Sequence, residues 1–66
     1  MHRDTQYAEF EAECVAETAQ ALLVEIDGKK YWVPKSVVRD DSTVQAQDDD
    51  GTLIIEEWFA TKQGIE

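Results

Sequence analysis

The acid-rich stretch AQDDDGTLIIEE, residues 46–57, comes nearer to a metal-binding pattern than any other part of this sequence. Four of its residues fall at positions 3, 5, 6 and 12 of a calcium-binding EF-hand loop: Asp48, Asp50, Gly51 and Glu57. Position 1, which normally supplies a carboxylate, is Ala46, and no helix is expected to lead into the loop. A solvated Asp-rich turn explains the stretch better, so we expect no metal and no other cofactor.

A second stretch, DGKKYWVPKS over residues 27–36, gathers basic and aromatic side chains in a chain whose formal net charge is −9. Such side chains can hold a phosphate and stack a base, as in single-stranded nucleic-acid binders. The alternative is that Trp32 packs beneath a helix near Trp58, while the lysines keep an exposed sheet edge soluble. The candidate residues of this basic and aromatic patch are Lys29, Lys30, Tyr31, Trp32, Lys35 and Arg39.

Catalytic chemistry is not indicated. Ser36, Ser42 and Cys14 lie in no nucleophile motif. His2 lies at a terminus expected to be mobile, and the sequence has no second histidine that could act as their base. The single cysteine, Cys14, is expected to be a small buried apolar side chain in a reducing compartment. We therefore expect a protein that is not an enzyme.

Charge divides the chain into thirds: residues 1–20 sum to −4, residues 21–39 to +2 and residues 40–66 to −7. This acidity repels nucleic-acid phosphate over most of the surface and can steer the chain toward a basic partner. The candidate acidic patch consists of Asp48, Asp49, Asp50, Glu56 and Glu57, with Trp58 beside it. No apolar run reaches the length of a membrane span or a signal peptide, so we expect a cytoplasmic protein without membrane contact.

The elements that must position these residues follow from periodicity. FEAECVAET, residues 10–18, alternates apolar and acidic residues, which predicts a half-buried strand. A helix is the alternative, because Glu and Ala favour helix by propensity, but the acids do not gather on one helical face. ALLVEI and KKYWV flank Asp27-Gly28, the signature of a tight hairpin, and Pro34 should end the pairing ahead of a 3-10 turn. STVQAQ and TLII predict two further strands.

EEWFATKQG predicts a closing helix, with Lys62 in its last turn and Gly64 as a left-handed cap. Its buried face would comprise Ile55, Trp58, Phe59 and Ile65. We expect one domain over residues 1–66, with residues 1–6 mobile, and a mainly β, small α+β fold. Its five antiparallel strands would form a bent sheet or an SH3-like or OB-like barrel with one C-terminal helix.

Most of the chain resembles a group of short uncharacterised proteins of bacteriophages and environmental viruses. The resemblance rests on ET at residues 17–18, LVEIDG, WVPKS, GTL and EWFA. It implies a viral or mobile-element origin and no activity. YWVPKSVV also resembles the end of an SH3 domain, where a 3-10 turn leads into the last strand. The aromatic pair and acidic loop of an SH3 peptide groove have no counterpart here, so proline-rich ligands are not implied.

These observations favour a non-enzymatic phage or mobile-element module that binds a host protein, for example a component of a defence system. Its acidic patch could mimic phosphates, with Trp32 or Trp58 as an apolar anchor. The alternative is a binder of small anions, nucleotides or single-stranded nucleic acid through the basic and aromatic patch. A third hypothesis is a structural accessory protein that associates with itself as a homo-oligomer through an exposed strand.

Overall fold

The computed structural model describes residues 6–65. It contains the strands β1 (Tyr7–Glu17), β2 (Ala21–Ile26), β3 (Lys29–Pro34) and β4 (Asp50–Glu56), a 3-10 helix (Lys35–Val37) and the helix α1 (Glu57–Gln63). The four antiparallel strands form one open sheet in the order β3-β2-β1-β4. The mainly β, small α+β class with a C-terminal helix is confirmed, with four strands where five were expected. Of residues 1–6, which were expected to be mobile, residues 1–5 with His2 lie outside the described residues, and the Gln6 C=O accepts the Glu57 N–H.

β1 is shared between two strand pairs. Its residues 7–13 pair with β4, and residues 13–17 pair with β2, so that Glu13 lies opposite a residue on each side. The pairing with β2 shifts between Cys14 and Ala16, which marks a bulge. Bulges bend a strand and increase its twist, so one long strand can serve two ribbons that point in different directions. The strand that alternation predicted is confirmed.

The hairpin of β2 and β3 turns at Asp27 and Gly28, whose φ angles are 53° and 80°. Two consecutive residues with positive φ define the turn that suits the right-handed twist of a hairpin. Pairing runs from the turn to Pro34, whose ring nitrogen has no hydrogen to donate. The 3-10 helix follows directly, as the sequence predicted.

The strand expected over residues 42–47 is replaced by turns and extended segments without ladder pairing. Val38 forms a single bridge to Ile55. Further along, the Ser42 hydroxyl takes the place of a backbone partner for Ile54. It accepts a hydrogen bond from the Ile54 N–H at 2.7 Å and donates to the Ile54 C=O at 3.0 Å. Hydroxyl side chains compete in this way with regular pairing, which is why the alternating pattern did not produce a strand.

The Asp-rich turn joins this segment to β4. The Asp49 N–H donates to the Ala46 C=O at 3.1 Å, and Asp48 has a φ of 76°. The Asp48 N–H then donates to the Cys14 C=O at 2.9 Å, while the Cys14 N–H donates to the Asp49 C=O at 2.8 Å. This arrangement is a turn closed by a bulge whose first residue is left-handed, a position usually filled by glycine.

The predicted closing helix is confirmed, with Gly64 left-handed at a φ of 74° and the Ile65 N–H donating to the Ala60 C=O. Trp58 was expected on the buried face and is instead 55% exposed. Neighbouring residues point about 100° apart around a helix, so Trp58 and Phe59 cannot both face the core of so short an element. Phe59 packs inward, and the Trp58 indole N–H donates to the Glu56 carboxylate.

The core lies between the inner face of the bent sheet and α1. Cys14 is fully buried in it, as expected for a small apolar residue, and burial raises the pKa of its thiol. The buried apolar residues are Ala12, Cys14, Leu22, Val24, Ile26, Val33, Val37, Val44, Leu53, Ile55, Phe59, Ala60 and Ile65.

Candidate binding face

The outer face of the sheet carries a continuous group of carboxylates. Alternate residues of a strand point to opposite faces, and the apolar residues of β1 point inward, so its glutamates point outward. The registers place acids of β2 and β4 beside them. We call this group the acidic face, and it comprises Glu9, Glu11, Glu13, Glu25 and Asp50.

Three of these carboxylates stand in one row across the sheet. Glu13 lies directly opposite Glu25 on β2 and Asp50 on β4. Like charges that face each other on neighbouring strands destabilise a sheet. Lys30 lies opposite Glu25 at the end of the row, yet no ion pair within residues 6–65 involves the acidic face. The row therefore retains an uncompensated negative charge.

A shallow groove of about 490 Å³ runs beside this row, between the hairpin tip and the β1–β4 ribbon. No basic side chain lines it, and its charged lining residues are Glu11, Glu13, Glu25, Asp27 and Asp50. Within the described part of the chain, no three His, Cys, Asp or Glu side chains are arranged to hold a metal ion. Carboxylates along an open groove can form charge-assisted hydrogen bonds with the side chain of a lysine or arginine.

The acidic patch expected from the sequence is divided by the structure. Asp48, Asp49 and Asp50 lie at one end of β4, whereas Glu56 and Glu57 lie at the other, about 20 Å away along the strand. The Asp49 carboxylate also accepts the N–H groups of two loop residues within its own turn, both at 2.9 Å. Trp58 lies at the Glu56 end.

The glutamates of β1 belong to the acidic face, and the sequence reasoning did not assign them to a site. The signal that could have found them is the alternation itself, because glutamates at every second position of a strand must share one face. Only the pairing of β1 with both β2 and β4 adds Glu25 and Asp50 to that face.

The basic and aromatic patch is also divided. Lys30 and Trp32 share the outer face of β3, while Lys29 and Tyr31 alternate to the other side. Lys35 is engaged with Glu17, with 2.6 Å between Nζ and Oε2. Its hydrogen bond lowers the pKa of the Glu17 carboxyl.

Arg39 lies apart from β3, beside β4. Its Nε is 3.0 Å from Oδ1 of Asp41, and its guanidinium carbon lies 4.4 Å from the centre of the Tyr7 ring. The hydrogen bond between Arg39 and Asp41 raises the pKa of the guanidinium and lowers that of the carboxyl. Arg39 is therefore held by neighbours of its own and does not extend a basic surface from β3.

Trp32 does not pack beneath the closing helix. It is 51% exposed and lies opposite Leu23 on the outer face of the sheet. The two-residue turn fixes the register of the hairpin, and that register points Val33 inward and therefore Trp32 outward. The outer face thus combines an acidic part with a smaller apolar part around Trp32.

Comparison of this chain with family models, curated proteins and solved structures finds no match. No helix within residues 6–65 has the length and apolar character needed to cross a membrane.

Proposed function

We propose that this chain is a non-enzymatic protein-binding module whose acidic face binds a basic surface of a partner. The row of Glu13, Glu25 and Asp50 carries the proposal, because three facing carboxylates weaken the sheet unless cations approach them. A partner with lysine or arginine side chains would remove this repulsion on binding. The resemblance to phage proteins makes a host protein the expected partner.

The rest of the outer face supports this proposal. Exposed aromatic side chains are frequent anchors of protein interfaces, and Trp32 lies on the same face as the acids. The net charge of −9 would accelerate encounter with a basic partner at low salt. We expect the association rate to fall steeply as salt is added, and salt-independent association would contradict the proposal.

The test is capture of host proteins by the tagged chain after nuclease treatment, with two matched variants. Replacing Glu11, Glu13 and Glu25 by Gln removes three charges from the acidic face. The control replaces Asp40, Asp41 and Glu57 by Asn, Asn and Gln, which removes the same charge elsewhere. A basic protein retained by the parent and the control and lost by the first variant supports the proposal, and equal retention by all three overturns it.

A second candidate, binding of nucleotides or single-stranded nucleic acid, is favoured by one observation. Lys30 and Trp32 are two residues apart on one face of β3, and both are exposed. This pair could contact a phosphate and stack a base. It predicts that short oligonucleotides quench tryptophan fluorescence and that Lys30→Glu abolishes the quenching. Unchanged fluorescence at millimolar nucleotide would exclude this candidate.

A further inference from the structure

The amino-terminal half of β1 has a strand on one side only. Among residues 6–65, only β4 pairs with residues 7–12, because the pairing with β2 begins at Glu13. The hairpin that contains β2 turns back at Asp27 and Gly28, which line the groove beside Glu11. Past this turn, no strand of the described residues occupies the line along which β2 would continue.

The hydrogen bonds at each end of the β1–β4 pairing show which backbone groups face this open side. The Glu57 N–H donates to the Gln6 C=O, and the Cys14 N–H donates to the Asp49 C=O. Backbone groups alternate in direction along an antiparallel strand, so the N–H and C=O groups of the even-numbered residues in this half point toward β4. The N–H and C=O groups of Glu9 and Glu11 therefore point to the open side.

The side chains around this open edge alternate in character. Glu9 and Glu11 are exposed on the outer face, while Ala8 and Phe10 point toward the core and are only partly buried. A strand added here would place alternate side chains beside the two carboxylates and the intervening ones beside the partly buried apolar residues. Acidic side chains along the edge would repel a second copy of β1, which disfavours self-pairing of this edge.

We propose that the open edge of β1 accepts an extended segment of a partner protein in which basic and apolar residues alternate. The backbone of Glu9 and Glu11 would form the ladder bonds, and their carboxylates would pair with lysine or arginine of the partner. This inference rests on the proposed function, because it specifies how a basic partner engages the acidic face. It differs from simple charge attraction in requiring backbone hydrogen bonds.

The test uses two capped nine-residue peptides of identical composition. One alternates Lys and Val, and the other carries its five lysines and four valines in two blocks. We expect the alternating peptide to bind the full chain at least tenfold more tightly by calorimetry. In the complex, amide exchange at Glu9 and Glu11 should slow by more than tenfold. The amides of Ala8 and Phe10, which already face β4, should change little.

Two changes remove backbone bonds of the open edge and keep the other carboxylates of the acidic face: Glu9→Pro in the chain, and N-methylation of the peptide along one edge. Glu9→Pro deletes an N–H on the open side and leaves the β4 ladder its donors, while Glu9→Gln deletes the same charge and keeps the N–H. An alternating peptide N-methylated along one edge tests the same bonds if Glu9→Pro fails to fold. We expect a tenfold or greater loss for the proline variant and the methylated peptide, and a smaller loss for Glu9→Gln.

The outcomes separate this inference from the proposed function. If the methylated peptide binds as tightly as its parent and neutralising Glu11, Glu13 and Glu25 still weakens binding, the acidic face binds basic peptides without strand addition. The inference would then be wrong and the proposed function would stand. If no basic peptide binds at millimolar concentration, both are overturned.

Discussion

The two outer edges of the β1–β4 ribbon differ in their backbone groups. In the part of the chain that the structure describes, these groups are hydrogen-bonded to a neighbouring segment along β4, and along the amino-terminal half of β1 they are not. On the β4 side, residues 38–43 run alongside β4. The N–H groups of Arg39 and Thr43 donate to the C=O groups of Ile54 and Thr52. The hydroxyls of Ser42 and Thr43 accept the N–H groups of the same two β4 residues, at 2.7 and 2.8 Å. On the side of β1 that faces away from β4, no strand within the described range lies beside residues 7–12. We call these the sealed edge and the open edge.

The difference shows that an edge can be closed without regular strand pairing. An exposed edge invites pairing with other chains, and proteins cover, charge or bulge such edges to prevent it. The sealed edge is covered by hydroxyl groups, while the edge strand β3 carries Lys30 and ends at Pro34, both of which discourage addition. The open edge carries acids instead, which repel copies of this chain and attract a basic strand.

Amide hydrogen exchange gives the largest expected contrast between the two edges. The Ile54 N–H is bonded to a buried hydroxyl, so it should exchange only when the domain unfolds. For a domain stable by about 3 to 5 kcal/mol this means protection of roughly 100-fold or more. The N–H groups of Glu9 and Glu11 should show almost none. Comparable protection at both edges would remove the distinction and the strand-addition proposal with it.

Replacing Gly51 by Ala should disrupt the sealed edge most. Gly51 has a φ of 141°, and an added Cβ would lie 2.3 Å from Oγ1 of Thr43. Strain and overpacking together should lower the free energy of unfolding by about 3 kcal/mol, measured from urea midpoints at unchanged m. Gly28→Ala is the control: its Cβ would meet nothing within 4 Å, so only the strain of its φ of 80°, about 1 kcal/mol, should remain.

Ser42→Ala should open the same edge by a smaller amount. It leaves the Ile54 N–H without an acceptor, whereas the Ile54 C=O still accepts the Arg39 N–H at 2.8 Å. Unsatisfied buried groups of this kind reduce the free energy of unfolding by about 2 kcal/mol. Ser36→Ala, which removes an exposed hydroxyl from the 3-10 helix, should leave the urea midpoint nearly unchanged. Equal effects of the two variants would show that the hydroxyl of Ser42 does not seal the edge.

The smallest effect concerns the other end of β1, where Glu17 is held by Lys35 and by the Gln47 N–H. Its lowered pKa means that this contribution to stability is present above the ordinary value of 4.5 and is lost as pH falls through the folded value. Glu17→Gln should therefore flatten the acid limb of a plot of urea midpoint against pH. Lys35→Gln should flatten it less, because the Gln47 N–H still lowers the pKa of the Glu17 carboxyl. An unchanged limb in both variants would contradict the assignment.

Most of the fold could be predicted because its signals are local. Alternation defined β1, Asp27-Gly28 defined the hairpin, and Pro34 and Gly64 marked the ends of β3 and α1. The strand predicted over residues 42–47 did not form, because the hydroxyls of Ser42 and Thr43 in that segment bond to backbone groups of β4. The exposure of Trp32 and Trp58 could not be predicted. It depends on which of two adjacent residues faces the core, and Val33 and Phe59 do so here.

The candidate site was less predictable than the fold. The sequence placed acids at residues 48–50 and 56–57 into one patch because they are close along the chain. In the structure they lie at opposite ends of the seven-residue strand β4. The row of Glu13, Glu25 and Asp50 joins three strands that are distant in sequence. No local pattern contains that information.

The sequence alone determined β1, the hairpin of β2 and β3, the terminal helix and the separation of apolar from acidic residues in β1, because each depends on neighbouring residues and backbone sterics. Only the tertiary structure decided which carboxylates face one another, which lysine and arginine are paired, and which edge is open. The physical reason is that charge and edge exposure depend on distances across the sheet. The bend of β1 and the pairing of β4 against it set those distances.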